Sequence, residues 1–238
     1  MLINVTIIIP VYNEENTITE LLSKIEEIKN LNKQIIIVDD GSIDKSFKKI
    51  SNFNFKSENL ILKHEKNQGK GAAIITAKKY ISGDIIIIQD ADLEYDPHDY
   101  YKLIEPIIKK KTEVVYGSRV LGKKRYNADG FTSLFRIFGN HVMTIISNLF
   151  NNQKLTDAHT CYKVFTRNVF DQIHLFEKNF SFCPEITTKI ANLKYSIIEI
   201  PISYRGRSYD EGKKIKLTDG LFALFTILKY KFFKNEQK

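Results

Sequence analysis

The most restrictive feature of this 238-residue chain is a set of short apolar runs that do not alternate with polar residues. Val5 to Ile9, Ile35 to Val38, Leu60 to Leu62, Ile85 to Ile88 and Val114 to Tyr116 are rich in Ile and Val. Uninterrupted runs of this kind are expected of strands buried on both faces. Amphipathic stretches separate them. One covers about residues 15–29, with Ile18, Leu21, Leu22, Ile25 and Ile28 on one face; others cover about 71–81 and 99–110. Strand–helix repetition predicts an α/β fold with a mostly parallel sheet flanked by crossover helices. Such sheets bind ligands beyond the carboxyl ends of their strands, so the polar residues after each run matter most.

Three of those runs end in acids. The first leads into Pro10-Val11-Tyr12-Asn13-Glu14-Glu15, the second into Asp39-Asp40-Gly41-Ser42, the fourth into Gln89-Asp90-Ala91-Asp92-Leu93-Glu94. Helix capping is the competing explanation, and it accounts for Ser42 and for Asp96-Pro97. It does not account for Asp90 and Asp92 directly after four isoleucines. In an extended chain both would point the same way and repel. A hard divalent cation relieves that repulsion, since Mg²⁺ is commonly held by one or two carboxylates plus substrate phosphates. The Asn67-Gln68-Gly69-Lys70-Gly71-Ala72-Ala73 segment precedes a helix but fits neither GxGxxG nor GxxxxGK[ST]. Its glycines read as permitting a tight turn and close approach to a ligand.

Beyond Arg119 the pattern changes. Residues 121–130 form a polar loop with Lys123, Lys124 and Arg125, and apolar residues then recur at helical spacing from Phe131 to Phe150. Tyr195 to Tyr204 reads as a strand, and 217–233 as an apolar helix ending among Lys229, Lys231 and Lys234. With no repeat or linker, the chain reads as one domain, 1–238. The net charge of +8 points to an anionic partner: nucleic acid, phosphate, nucleotide or anionic lipid. Two cysteines, Cys161 and Cys183, exclude a disulfide scaffold, though not a single bridge, and without a CxxC pair they argue against a structural zinc site; they read as reduced cytosolic thiols. The N-terminus lacks a basic region and a cleavage site, so it reads as a strand rather than a signal peptide. Leu221 to Leu228 falls far short of the ~20 residues a membrane span needs.

The motifs IIIPVYNEE, IIIVDDGS, NQGKGAA, IIIIQDADLEYDP and GSR, in this order, resemble the nucleotide-sugar-binding half of family 2 glycosyltransferases. TDAHTCYKVF, PEI and EIPISYRGRSYDEGKK are similar to the branch around dolichol-phosphate mannosyltransferase and bacterial polyprenyl-phosphate sugar transferases. The resemblance implies a GT-A fold, Rossmann-like, with C-terminal amphipathic helices. Residues 1–120 would be the nucleotide-sugar half and 121–238 the acceptor half; the apolar helices at 131–150 and 217–233 read as core or, given a lipid acceptor, as interfacial helices. It implies inverting, metal-dependent transfer of a sugar from a nucleotide-diphosphate sugar, such as GDP-mannose or UDP-glucose, to a polyprenyl phosphate. The alternative is a soluble family 2 enzyme acting on a saccharide or other hydroxyl.

By this resemblance Pro10, Tyr12, Glu14, Val38 and Asp40 line the nucleoside pocket. Asp90, Ala91 and Asp92 match the metal–diphosphate motif, with Mg²⁺ or Mn²⁺ as the cation, and Glu94 occupies a position that contacts the metal in some relatives. Arg119 matches an arginine near the phosphates, where a planar guanidinium grips two oxygens. Arg207 and Lys213 match cations used for donor and acceptor phosphates. Here Asp210 and Gly212 depart from the family's R-x-Y-G-x-S-K pattern, which leaves Lys213 and Lys214 as alternatives. A phosphate acceptor, with a second pKa near ~6, is largely ionised at neutral pH and needs no strong base. A hydroxyl acceptor would need one, and Asp157 is the candidate. A lipid acceptor implies a peripheral place on the cytoplasmic face of a membrane. Relatives often carry membrane helices after the catalytic domain; without them, this chain would be peripheral or paired with a separate small membrane protein. Nucleic acid is disfavoured, because acids at the strand ends would repel its phosphates.

Overall fold

The computed structural model describes residues 2–121, 131–207 and 217–233; of 131–137 and 217–219 only the helical backbone is described. Each of the apolar runs forms a strand: β1 (Ile3–Val11), β2 (Leu31–Asp39), β3 (Glu58–Lys63), β4 (Ile85–Ile88) and β5 (Val114–Ser118). Ile7, Ile8, Ile36, Ile37, Ile86 and Ile87 are all 0% exposed, which explains why polar residues do not alternate with them. The intervening helices are α1 (Ile18–Glu27), α2 (Ser46–Ser51), α3 (Lys70–Lys78) and α4 (Tyr100–Ile108). The chain continues with α5 (Phe131–Asn151), β6 (Lys163–Thr166), α6 (Arg167–Gln172), α7 (Phe182–Asn192), β7 (Ile197–Pro201) and α8 (Leu217–Phe232).

Among the described residues these strands form one sheet of order β3-β2-β1-β4-β6-β5-β7. All neighbouring pairs are parallel except those made by β6, which runs antiparallel to both β4 and β5. Strands from both halves of the sequence therefore share one sheet. From β1 the chain winds outward to β2 and β3, then returns to β4 on the other side of β1. That reversal opens a crevice between the carboxyl ends of β1 and β4, the place where open α/β sheets bind ligands.

β6 has no apolar run to announce it, because it starts with a lysine. Lys163 is fully buried, and its ammonium donates to the carbonyls of Thr160 at 2.8 Å and Ala158 at 3.0 Å. It also sits 4.0 Å from the Tyr116 ring centre. Burial outweighs the neighbouring anions and lowers its pKa. The α5 stripe is only partly core: Phe138, Ile145 and Leu149 are exposed. α8 likewise exposes Leu221, Phe222, Phe225 and Phe232, and the Phe150 and Phe232 rings meet edge to face where the helices pack. No described helix is long and apolar enough to cross a membrane.

Candidate active site

The carboxyl ends of β1, β2 and β4 surround a cleft of about 520 Å³, within the range of small-molecule sites. Pro10, Tyr12, Glu14 and Asp40 line one part of it; Asp90, Ala91, Asp92 and Glu94 line another; Arg119 and Arg207 complete the ring. Val38 is fully buried in the sheet and is not among the lining residues. Asp157 stands behind Arg119. Lys213, its alternative Lys214, and the loop cations Lys123, Lys124 and Arg125 lie outside the described residues, as does Lys234.

On the β1–β2 side, backbone donors fix the acids. Asp40 accepts from the amides of Gln68 at 2.9 Å and Gly69 at 2.7 Å, and His64 Nδ1 lies 2.6 Å from its Oδ1. His64 Nε2 lies 2.9 Å from the Thr76 hydroxyl. Asp40 thus ties the glycine turn to the cleft. Ser42, expected as a cap, does not cap a helix; its hydroxyl accepts the Asn13 amide at 3.0 Å and joins the β1 and β2 loops. Asp96 does cap, accepting the His98 amide ahead of a short 3-10 turn.

After β4 the chain turns instead of staying extended, with Leu93 at φ +58°. Asp90 and Asp92 still both face the cleft, and two cations meet them. Lys70 Nζ lies 2.5 Å from Asp90 Oδ1, and Arg207 Nη2 lies 3.2 Å from Asp92 Oδ2. Burial, with Asp90 and Glu94 nearby, pushes the Asp92 carboxyl up to about 7, against the pull of Arg207. Glu94 is engaged at both oxygens: Oε1 accepts the Arg207 amide at 2.7 Å and Oε2 the Tyr204 hydroxyl at 2.9 Å. Among the described residues no three metal-ligating side chains converge. The donor chemistry still fits a hard cation: two cleft-facing carboxylates, one of them held above its ordinary pKa by burial and by the negative charge beside it.

Arg119 and Asp157, read from the sequence as separate candidates, are partners. The guanidinium bonds both carboxylate oxygens at 2.7 Å, and the Arg119 amide donates to Oδ2 at 3.1 Å. Burial alone would raise the Asp157 carboxyl; Arg119 overrides it and holds it below the ordinary range. That makes Asp157 a poor general base. Its loop is fixed from β7, where Glu199 accepts the amides of Thr156 at 2.6 Å and Asp157 at 2.9 Å. His159 also lines the cleft; burial, then Lys163, lowers its pKa to about 4, so the imidazole is neutral at pH 7.

Lys70 is the principal residue that reading by motif missed. Its signal was a lone lysine between two glycines in a cleft rich in acids. The glycines make the expected tight turn and also admit a second stretch of main chain. Gly69 has φ +102°, and a Cβ at Gly69 or Gly71 would collide with the main chain at Glu177 and Lys178. Cys161 and Cys183 are both free thiols on the cleft.

Three comparisons bear on this geometry. The sequence profile of glycosyl transferase family 2 matches residues 6–174. The dolichol-phosphate mannosyltransferase of Pyrococcus furiosus is 32% identical over 218 residues, covering 89% of this chain; the alignment spans 60% of that protein's length. The UDP-N-acetylglucosamine–dolichyl-phosphate N-acetylglucosaminyltransferase of Methanococcus voltae is 29% identical over 243 positions, covering 94% of this chain and 95% of that protein. Among solved structures, the glucosyl-3-phosphoglycerate synthase of Mycobacterium tuberculosis, in complex with Mn²⁺ and UDP, superposes with a TM-score of 0.70 over 96% of this chain and 80% of that one. At 18% identity that likeness concerns the fold.

Proposed function

The chain belongs to glycosyl transferase family 2, with the α/β sheet of the GT-A fold, and we propose that it transfers a sugar from a nucleoside-diphosphate donor to a polyprenyl phosphate. The observation that carries this reading is the acid cluster at Asp90 and Asp92, faced by Lys70 and Arg207 at the sheet's crevice. A diphosphate entering there exchanges carboxylate partners for phosphate oxygens on the same cations. The acceptor class is supported by relatives named for dolichyl and undecaprenyl phosphate.

In this reading Tyr12 stacks on the base while Glu14 and Asp40 shape the nucleoside end, with Pro10 and Ala91 beside them and Val38 supporting Asp40 from within the sheet. Asp90 and Asp92 would hold Mg²⁺ or Mn²⁺, with phosphates and water completing its shell, and the ion would neutralise the leaving diphosphate. Glu94 clamps the segment that carries Arg207. An acceptor phosphate oxygen attacks the anomeric carbon from the side opposite the diphosphate. The old C–O bond breaks with its electron pair on the nucleoside diphosphate, so configuration inverts. Arg207, Arg119 and one of Lys213 and Lys214 would gather the two anions. No protein base is required, in keeping with Asp157 being locked to Arg119.

The exposed apolar residues of α5 and α8 would rest against the bilayer that holds the acceptor. The test is incubation with radiolabelled GDP-mannose or UDP-glucose, Mg²⁺ or Mn²⁺, and dolichyl or undecaprenyl phosphate. Label in the organic phase is expected. Label only on a water-soluble acceptor overturns the lipid reading in favour of a hydroxyl acceptor.

A further inference from the structure

Residues 176–180 join two regions that are far apart in sequence. On one side α8 holds them. The Tyr230 hydroxyl donates to Glu177 Oε1 at 2.9 Å, and the Lys229 ammonium lies 3.3 Å from the same oxygen. Tyr230 is fully buried, and its carbonyl accepts from Asn192 of α7 at 2.9 Å. Beneath the segment lies Glu185, also fully buried. Its oxygens accept the amides of Phe176 at 2.8 Å and Glu177 at 2.9 Å, and Lys189 neutralises it at 2.7 Å.

On the other side the same segment lies on the glycines that flank Lys70. The Ala72 amide donates to the Lys178 carbonyl at 3.0 Å, and the Glu177–Lys178 main chain fills the space that a Cβ at Gly69 or Gly71 would take. Asn179 and Phe180, next in the chain, wall the cleft. A glycine turn has no side chains of its own to fix its path, so its neighbours must fix it. Two neighbours do so here: Asp40, which accepts the Gln68 and Gly69 amides on the N-terminal side, and the segment that Glu177 ties to α8 on the other.

We propose that Glu177 is a positioning residue for sugar transfer: by tying α8 to the glycine turn it fixes where Lys70 meets Asp90, so that the seat of α8 sets the anion-binding floor of the cleft. The inference rests on the donor site proposed above. Misplacing a phosphate contact by about 1 Å can cost on the order of 10²-fold in rate, which gives such a tie its value.

Glu177→Gln and Tyr230→Phe keep the shape and weaken the tie. Hydrogen exchange on the full chain is expected to quicken about 5- to 30-fold at the amides of residues 70–73, with α1 unchanged and the melting temperature nearly so. Calorimetric titration with GDP and with UDP, in Mg²⁺, should show weaker binding in both variants, and a double variant no weaker than either single one. Faster exchange confined to 176–180 and α8 overturns the proposal, as does quickened exchange at 70–73 with unchanged nucleotide affinity. A parent protein that binds neither nucleotide removes the donor reading instead, and the exchange at 70–73 then decides the tie alone.

Discussion

Arg207 reaches 193 positions back along the chain to bind Glu14, with each terminal nitrogen 3.0 Å from a different carboxylate oxygen. The same guanidinium lies 3.2 Å from Asp92, so one cation bridges the acids that follow β1 and β4. The bridge is preorganised from behind. Tyr204 pairs with Tyr95 in an isolated bridge, and the Arg205 amide donates to the Glu94 carbonyl at 2.9 Å. In the proposed function, Arg207 and a divalent cation would compete for the Asp92 carboxylate.

That overlap predicts opposite effects on two ligands. Arg207→Gln should tighten Mn²⁺ binding to the free protein, because Asp92 loses a competing cation. It should weaken GDP or UDP binding by about 10- to 100-fold, the weight of a lost charge-assisted contact. Calorimetry with each ligand alone reads both. Parallel weakening of metal and nucleotide would show that Arg207 does not compete for Asp92.

Asp92 should trade stability for function. Its folded-state pKa is raised from 3.8 to about 7, so the folded protein holds a proton there that the unfolded chain releases above about pH 4. The resulting stability is full below about pH 4 and is lost as pH rises through about 7. Asp92→Asn, which cannot ionise, should melt several degrees higher than the parent at pH 8 and gain little at pH 4. Transfer should be abolished. Equal melting temperatures at pH 8 would contradict the raised pKa that burial and the neighbouring acids impose on Asp92.

Much of this site was legible because β1, β2 and β4 announce themselves. Short runs rich in Ile and Val lead into Glu14, Asp40, Asp90 and Asp92, and the sheet rule places those ends together. The rest depended on contacts that no local pattern encodes. β6 was hidden because Lys163 reads as a surface residue until carbonyls and the Tyr116 ring are seen around it. Lys70 gained its role from main chain 107 positions away, since Gly71 is filled by the Glu177 carbonyl. Arg119 and Asp157 were each visible, but their pairing needed Glu199 to turn the 156–157 loop toward β5.

Asp157 should matter for stability more than for proton transfer. Asp157→Asn leaves the mostly buried Arg119 guanidinium without its carboxylate, a loss of about 2–4 kcal/mol in chemical denaturation at pH 7. Because the folded carboxyl is depressed, the parent's advantage is present above about pH 4 and is lost as pH falls through the still lower folded value. The two proteins should therefore converge in stability toward pH 2. Residual transfer, measured where the variant remains folded, should keep the parent's pH profile. A profile that loses its basic limb would restore Asp157 as a base.

The outward face of α8 should bind lipid without supporting the fold. Phe222 and Phe225 are 62% and 66% exposed, so replacing both with Ser removes little native packing, and the melting temperature should shift by no more than about a degree. Inserted into a bilayer, each ring is worth about 1.5–3 kcal/mol, so co-sedimentation with vesicles of phosphatidylglycerol and phosphatidylcholine should fall at least tenfold per ring. Lys231, in the last turn, adds an electrostatic share that salt screens, so the parent's binding should weaken with ionic strength. The double variant should keep that salt dependence at a lower level of binding. Undiminished sedimentation of the Ser variant would mean that another surface meets the membrane.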